Sequence, residues 1–281
     1  MSARRSRSFN PLPIAAVIVI IALVALFNIL GGGGSGNVKA SESSGYTLQF
    51  SEAFKPALAN RDDLGISVVL AVDVSGSMSD WPASGGNAKY VQASQALVEV
   101  MEVLERIVAA SPEGQVIKLG IIKFSDALFE IQPLVVISKA SMPKLKALVG
   151  NPKNFAPGGG TAIGDAIERG TEWLAQSGTI LRSLIVVSDG QNTAGTDPED
   201  VLEAVYANRN SAGTADFPVR TNTTLISFIG FDIDRGYFGG MQDYGVRVTG
   251  AANRAELATV LSNLLEADIT RLEAAALGSG K

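Results

Sequence analysis

The chain has 281 residues, 46% of them hydrophobic, which is enough to bury one sizeable core. It contains no cysteine and no histidine, which excludes disulfides, thiolate or imidazole metal sites and Ser-His-Asp catalysis, so any metal must be held by oxygen ligands. Residues 1–39 hold four basic residues and no acidic one. Residues 40–281 therefore hold 19 of the 23 basic residues and all 28 acidic ones. The net negative charge of this part of the chain argues against nucleic-acid binding.

The N-terminal segment predicts a membrane anchor. Residues 12–30 read LPIAAVIVIIALVALFNIL, and a helix of this length is roughly 28 Å long, about the thickness of a bilayer core. Arg4, Arg5 and Arg7 precede it, and the positive-inside rule keeps residues 1–11 in the cytoplasm. We therefore expect a single-pass signal-anchor helix, with the rest of the chain periplasmic or extracellular.

A cleaved signal peptide is the alternative interpretation of this segment. Val38-Lys39-Ala40 loosely resembles a small-x-small cleavage site, and the chain would be secreted after a cut near Ala40. Against this, the apolar run exceeds the length that is usual for the core of a signal peptide.

A Gly/Ser-rich stretch at 31–45 is predicted to be a flexible linker between the anchor and the domain. We expect the ordered domain to occupy residues 46–281. At its start Tyr46, Leu48 and Phe50 alternate in the manner of a short edge strand.

Beyond the linker, apolar runs alternate with amphipathic stretches, which is typical of an α/β fold with a mostly parallel sheet. The predicted strands are Ile66 to Val72, Val116 to Phe124, Leu128 to Leu134, Leu184 to Val187, Thr224 to Ile229 and Val246 to Val248. The predicted helices are Lys89 to Ala110, Ala162 to Ala175, Glu199 to Asn208 and Ala255 to about Ala275. A tight Ser125-Asp126 turn joins the second and third strands, so we expect one antiparallel edge strand.

Three loops beside these strands carry oxygen-bearing side chains. Asp73-Val74-Ser75-Gly76-Ser77 follows the first strand, Gly158-Gly159-Gly160-Thr161 precedes a helix, and Ser188-Asp189-Gly190 follows the apolar LIVV strand. Each loop alone is a weak signal. Because ligands gather outside the carboxyl ends of parallel strands, we expect the three loops to converge on one hard cation.

In this order the three elements resemble the von Willebrand factor A (VWA) family and its metal-ion-dependent adhesion site (MIDAS), and the similarity covers roughly residues 64–265. The resemblance implies a three-layer, Rossmann-like fold with helices on both faces of the sheet. It also implies a site for Mg²⁺, with Mn²⁺ or Ca²⁺ as alternatives. In such a site Ser75 and Ser77 bind the cation directly, and Thr161, Asp73 and Asp189 bind it directly or through water.

The function that this resemblance implies is adhesive: a membrane-anchored module that binds a protein or peptide, whose Asp or Glu carboxylate takes an open coordination position. A structural or assembly subunit of a cell-envelope or pilus-like complex, with metal-independent contacts, is the alternative. We do not expect an enzyme, since a positioned general base is missing, although a metal-assisted hydrolase is a third hypothesis. Neither a G-x-x-x-x-G-K-[ST] nor a strand-to-helix G-x-G-x-x-G motif occurs, so no nucleotide is expected.

A few further residues near the predicted site are assigned ordinary roles. Asp80 is interpreted as a solvated loop acid. Trp81 could contact a partner or pack down over the next helix, and the sequence does not choose between the two. Asp232 and Asp234 are predicted to cap a helix.

Overall fold

Six strands rich in Val, Ile and Leu form one sheet in the order β3-β2-β1-β4-β5-β6. Their bounds are β1 Gly65–Asp73, β2 Val116–Phe124, β3 Leu128–Val136, β4 Leu181–Ser188, β5 Thr224–Phe231 and β6 Arg247–Ala251. All neighbouring pairs are parallel except β2 and β3, which confirms the predicted antiparallel edge strand. The central strand β1 is buried at every position, as expected for a strand covered on both faces.

The computed structural model describes residues 46–49, 65–111, 115–207 and 224–278, with side chains as far as residue 270. The predicted cytoplasmic segment 1–11, the anchor helix 12–30 and the linker 31–45 lie outside these residues. Within the described ranges, no helix combines the length and the apolar character needed to cross a bilayer.

The helices cover both faces of the sheet and so complete a three-layer arrangement. Their bounds are α1 Lys89–Ala110, α2 Met142–Val149, α3 Ile163–Ala175, α4 Pro198–Ala207, α5 Gly239–Asp243 and α6 Arg254–Gly278. On one face α1, α2 and α6 pack over Val68, Leu70 and Val72. On the other face α3, α4 and α5 pack over Val69 and Ala71. Because successive side chains of a strand point to opposite faces, the single apolar run of β1 supplies both cores.

The helix α2 was not predicted, and its short length explains why. It has only eight residues, with Pro143 in its first turn, and it buries Met142, Leu145 and Val149. These three positions follow helical spacing, but eight residues are too few for the pattern to stand out.

The predicted short strand near Tyr46 is wrong for the described residues 46–49, which have no regular secondary structure. Tyr46 and Leu48 instead pack against the core on the α3 side of the sheet. The Tyr46 hydroxyl donates a hydrogen bond of 3.0 Å to Glu168 on α3. The alternation therefore reflects packing on a helix; Phe50, the third residue of that pattern, lies outside the described residues.

Candidate metal centre

Two of the three predicted loops meet through a direct side-chain contact. Ser77 lies in a 3₁₀ helix, Gly76–Ser79, just beyond the end of β1. Asp189 directly follows β4, the strand that pairs with β1. The Ser77 hydroxyl donates a 2.8 Å hydrogen bond to Asp189 Oδ1, and its oxygen lies 3.1 Å from Ser75 Oγ. Side chains more than 100 residues apart in sequence thus form one polar cluster at the carboxyl ends of the strands.

Asp73, the last residue of β1, is fully buried beneath this cluster. Its Oδ1 accepts a 2.7 Å hydrogen bond from the Ser75 backbone N–H, and its Oδ2 accepts a 2.5 Å hydrogen bond from the Ser188 hydroxyl. Burial raises the pKa of Asp73 to about 6; the hydrogen bonds from Ser188 and Ser75 oppose this shift, and the charge of Asp189 adds to it. A nearby cation would therefore strongly favour the ionised form of Asp73.

The glycine-rich loop is held against the end of β1 by backbone hydrogen bonds. The Gly76 N–H donates to the Gly159 carbonyl at 3.0 Å, and the Gly158 N–H donates to the Val74 carbonyl at 2.8 Å. Gly159 has φ +81°, and a β-carbon there would collide with Asp126, so this position requires glycine. The loop can approach β1 this closely because it carries no side chains.

Thr161 joins the cluster at Gly190. A β-carbon built on Gly190 would lie 3.7 Å from Ser77 Oγ and 3.9 Å from Thr161 Oγ1, so both hydroxyls border the same small space. The backbone N–H of Thr161 donates to Thr193 Oγ1 at 2.9 Å, and the Thr161 carbonyl accepts from the N–H of Thr193 at 2.9 Å. The structure therefore brings all five predicted residues to one place, and Thr193 is a supporting residue that the sequence analysis missed.

The donor set fits a small hard cation. Adjacent ligands of an octahedral Mg²⁺ at 2.0–2.1 Å lie about 2.8–3.0 Å apart, and Ser75 Oγ and Ser77 Oγ are separated by 3.1 Å, close to that spacing. Because the Ser77 hydroxyl donates its proton to Asp189, its oxygen acts as an acceptor towards Ser75 and keeps a second lone pair that can face such an ion. Among the described residues, no group of three or more His, Cys, Asp or Glu side chains is arranged to hold a metal; this cluster instead combines two carboxylates with hydroxyls.

Lys89 is a member of the cluster that the sequence analysis did not identify. It is the first residue of α1, is only 8% exposed, and its Nζ lies 2.9 Å from Asp189 Oδ2 and 3.5 Å from Asp232 Oδ2. Burial lowers the pKa of Lys89, but the Asp189 and Asp232 carboxylates more than compensate, so its pKa is raised overall. One signal for Lys89 was present: a basic residue in the first turn of a helix opposes the helix dipole.

The roles predicted for Asp232 and Asp234 are half right. Asp234 caps a 3₁₀ helix, Arg235–Phe238, by accepting a hydrogen bond from the Gly236 N–H at 2.8 Å. Asp232 caps no helix; it adopts φ +56° and accepts hydrogen bonds from the Ala83 N–H at 3.2 and 3.3 Å besides its ion pair with Lys89. A carboxylate directly after a strand cannot be assigned to its partner from sequence, because that partner belongs to a distant loop.

The rim of the cluster carries an exposed aromatic side chain. Trp81 is 72% exposed, which decides between the two predicted roles in favour of an outward-facing ring. Tyr237, in the 3₁₀ helix after β5, is 62% exposed. Asp80 is exposed, in agreement with its interpretation as a solvated acid.

Several solved structures resemble this fold. The PilB minor pilin from Streptococcus sanguinis superposes with a TM-score of 0.55 at 15% identity, over 73% of this chain and 61% of that one. The pilus adhesin SpaC from Lactobacillus rhamnosus GG gives 0.54 at 14% identity, over 77% of this chain and 32% of that one. An aerotolerance-related membrane protein from Bacteroides fragilis gives 0.50 at 14% identity, over 74% of this chain and 100% of that one. At these identities the likeness shows the fold alone, and the chain spans less than two thirds of either pilus protein.

Sequence comparison supplies the family. No curated protein matches the chain. The model of the von Willebrand factor type A domain matches residues 67–226, more than half of the chain. This range runs from β1 into β5 and contains every residue of the predicted site. The fold and this match agree, and the chain belongs to the von Willebrand factor type A domain family.

Proposed function

We propose that this domain binds a protein or peptide partner through a divalent cation, Mg²⁺ with Mn²⁺ or Ca²⁺ as alternatives, held by Asp73, Ser75, Ser77, Thr161 and Asp189. The observation that carries the proposal is the contact between Ser77 and Asp189, which joins hydroxyls from one loop to a carboxylate from another at the end of adjacent parallel strands. In open sheets of this kind, this edge is where ligands bind.

Each residue has a distinct part in the proposed site. Ser75 and Ser77 contribute neutral oxygens, so they hold a cation without cancelling its charge. The buried Asp73 and Asp189 supply compensating negative charge, and Ser188 and Lys89 keep them oriented. When bound, the cation would supply a Lewis-acidic position that accepts a carboxylate oxygen from a partner's Asp or Glu.

We also propose that the domain lies outside the cytoplasm, anchored by residues 12–30. The apolar stretch after an arginine cluster supports this proposal. Structural neighbours include a minor pilin, a pilus adhesin and an aerotolerance-related membrane protein, and these surface and membrane descriptions are compatible with such a position.

The test compares two serines of the same loop. Ser77→Ala removes the hydroxyl that contacts Asp189, whereas Ser79→Ala removes one that donates to the Gly76 carbonyl at 2.7 Å. We expect Ser77→Ala to lose Mg²⁺ binding in calorimetric titration. Ser77→Ala should also fail to capture the proteins that the wild type captures from envelope extract in Mg²⁺ and releases in EDTA. Ser79→Ala should retain both Mg²⁺ binding and this capture. Circular dichroism checks that both variants fold.

Partner capture that persists in EDTA and in Ser77→Ala would contradict the metal-bridged mechanism. Absence of calorimetric Mg²⁺ or Mn²⁺ binding by the folded wild type would contradict the metal site itself.

An assembly role with metal-independent contacts is a second candidate, favoured by the surface of β3. This strand lies at the edge of the sheet and exposes Phe129 (48%), Val135 (44%) and Val136 (58%). Exposed apolar edge strands are places where another chain can pair. If this surface makes the contacts, Val136→Lys would abolish capture and the Ser75→Ala/Ser77→Ala double variant would retain it.

A further inference from the structure

The ion pair of Lys89 with Asp189 places a fixed positive charge beside the proposed metal site. Lys89 Nζ donates to Asp189 Oδ2 at 2.9 Å, while Ser77 donates to the other oxygen, Oδ1, at 2.8 Å. Both oxygens of this fully buried carboxylate are therefore engaged, and its orientation is set from two sides. Among the described residues, Lys89 contacts the proposed ligands through Asp189, and its other ion-pair partner, Asp232, lies outside that set.

Helix stability does not explain this lysine. Lys89 begins α1, where the helix dipole presents positive charge to the ammonium group. The N-cap residue Ala88 offers no side-chain cap, and the lysine is 8% exposed, so it loses most of its hydration. A cation in this position is unfavourable for the helix, and what favours it is the pair of carboxylates of Asp189 and Asp232.

The charges of the cluster show what the lysine changes. The two carboxylates of the proposed site, Asp73 and Asp189, and the neighbouring Asp232 bring three negative charges, and a divalent cation would leave a net charge of −1 without the lysine. With Lys89 the loaded cluster is neutral. A net negative cluster would hold a cation more tightly but would repel an incoming carboxylate, whereas a neutral one binds the cation less tightly and does not repel the anion.

We propose that Lys89 is a positioning residue at this site. Its charge lowers the affinity for the cation and raises the affinity of the loaded site for the partner's carboxylate. The proposal rests on the metal site proposed above. Removal of the lysine charge should therefore move the two affinities in opposite directions, which a merely structural role would not do, because structural damage weakens both.

The experiment uses Mn²⁺ and acetate as probes of the full-length chain purified in detergent. Loss of the six-line paramagnetic resonance signal of free Mn²⁺ measures cation binding, and water-proton relaxation of the Mn²⁺-loaded chain measures displacement of coordinated water by acetate. In Lys89→Met we expect roughly tenfold tighter Mn²⁺ binding and roughly tenfold weaker acetate binding. Lys153→Met, which removes the same charge from an exposed 3₁₀ helix residue, should change neither.

Two further variants keep the test independent of the folding of Lys89→Met. Lys89→Arg retains the positive charge, so the ratio of the two affinities should stay near that of the wild type. Asp232→Asn removes the negative charge beside Lys89, and asparagine tolerates the φ of +56° at this position. It should act in the opposite direction, with weaker Mn²⁺ binding and tighter acetate binding.

The outcomes separate this inference from the proposed function. If wild-type protein binds Mn²⁺ and Lys89→Met weakens both affinities, or leaves both unchanged, the inference is overturned and the metal site stands. If Lys89→Met does not fold, Asp232→Asn decides: unchanged or tighter Mn²⁺ binding overturns the inference. If the folded wild type does not bind Mn²⁺ at all, the proposed function fails with it.

Discussion

Two buried aspartates in this domain have nearly the same immediate partners but occupy different surroundings. Asp189 accepts from a serine hydroxyl (Ser77, 2.8 Å) and pairs with a lysine (Lys89, 2.9 Å). Asp268, on α6, also accepts from a serine hydroxyl, that of Ser183 on β4, at 2.7 Å. It pairs with an arginine, Arg247 on β6, at 2.9 and 3.0 Å. Both carboxylate side chains are fully buried.

The difference lies in what else surrounds each carboxylate. The guanidinium of Arg247 on β6 donates to both oxygens of Asp268 on α6 and so links this helix to the sheet. The hydrogen-bonding capacity of this carboxylate is thus used within the fold. Around Asp189 there are further oxygens on separate loops, from Ser75, Thr161 and the buried Asp73. The Ser-Asp-cation set is thus structural at Asp268. At Asp189 the same set is joined by further hydroxyl and carboxylate oxygens, and we propose that these together bind another cation.

The largest expected effect distinguishes the two basic side chains that pair with these aspartates, Arg247 and Lys89. Arg247→Met leaves Asp268 buried without its cation and should lower the free energy of unfolding by about 3–5 kcal/mol. We expect the same loss in EDTA and in Mg²⁺, because the bonds of Asp268 among the described residues are to Ser183 and Arg247 and not to a group of converging oxygens. Lys89→Met should also destabilise the domain in EDTA, but Mg²⁺ should reverse the loss by replacing the missing charge. Urea unfolding followed by circular dichroism measures both.

An equal response of Arg247→Met and Lys89→Met to Mg²⁺ would contradict the distinction between the two carboxylates. Lys153→Met provides the baseline for losing a surface lysine.

The second prediction removes the carboxylates themselves. Asp189→Ala should weaken Mg²⁺ binding at least about a hundredfold, or about 3 kcal/mol, since metal sites lose 10–100-fold even when an outer partner is removed. Asp268→Ala should leave the affinity of the folded fraction unchanged. Calorimetric titration measures both affinities, and a comparable loss in the two variants would mean that the cation binds elsewhere.

A smaller effect is the stabilisation of the native state by the cation. At a Mg²⁺ concentration one hundred times its Kd, the free energy of unfolding of the wild type should rise by about 2.7 kcal/mol. Asp268→Asn should show the same increment from a lower starting stability, and Asp189→Asn should show a much smaller one. A thermal melting series in Mg²⁺ and EDTA checks this, and an increment that survives in Asp189→Asn would be contrary to the proposed site.

The smallest effect is a pH dependence that comes from Asp73. Its pKa in the native state is about 6, above the ordinary 3.8, so the metal-free native state binds a proton more readily than the unfolded chain. The metal-free domain should therefore lose stability as the pH rises from about 4 to 6. Cation binding requires the carboxylate, so Mg²⁺ affinity should fall roughly tenfold per pH unit below 6 and be flat above 7.

Calorimetric titration between pH 5 and 8 measures this profile. The chain has no histidine that would titrate in the same range, and Asp73→Asn should abolish the inflection. A wild-type affinity that does not change between pH 5 and 7 would contradict the assignment of Asp73.

Local patterns predicted most of the secondary structure. The helix Lys89–Ala110 and the strand Val116–Phe124 have the predicted bounds, because long amphipathic or apolar runs determine their own extent. The strand Leu128–Val136 extends two residues beyond its predicted end, past Pro133, which an edge strand tolerates. The residues of the proposed metal site could be brought together from sequence because each lies beside a strongly patterned element.

Interactions between distant loops could not be predicted from one sequence. Lys89 contacts a residue 100 positions away, and Asp232 binds the Ala83 N–H across 149 positions. A lysine at a helix start and an aspartate after a strand both have common local explanations, and only the converged loops show that they share one ion pair. The membrane anchor stays a prediction of the sequence.

The exposed indole of Trp81 gives this domain a built-in optical probe. Trp81 lies two residues before Ala83, whose N–H donates to Asp232, and Asp232 in turn pairs with Lys89 beside the proposed metal site. The chain has one other tryptophan, Trp173, whose ring is half-buried against Gly120 beneath β2. Emission from Trp81 should therefore shift when a ligand rearranges this loop, and Trp173→Phe would leave a single fluorophore to read that change without any attached dye.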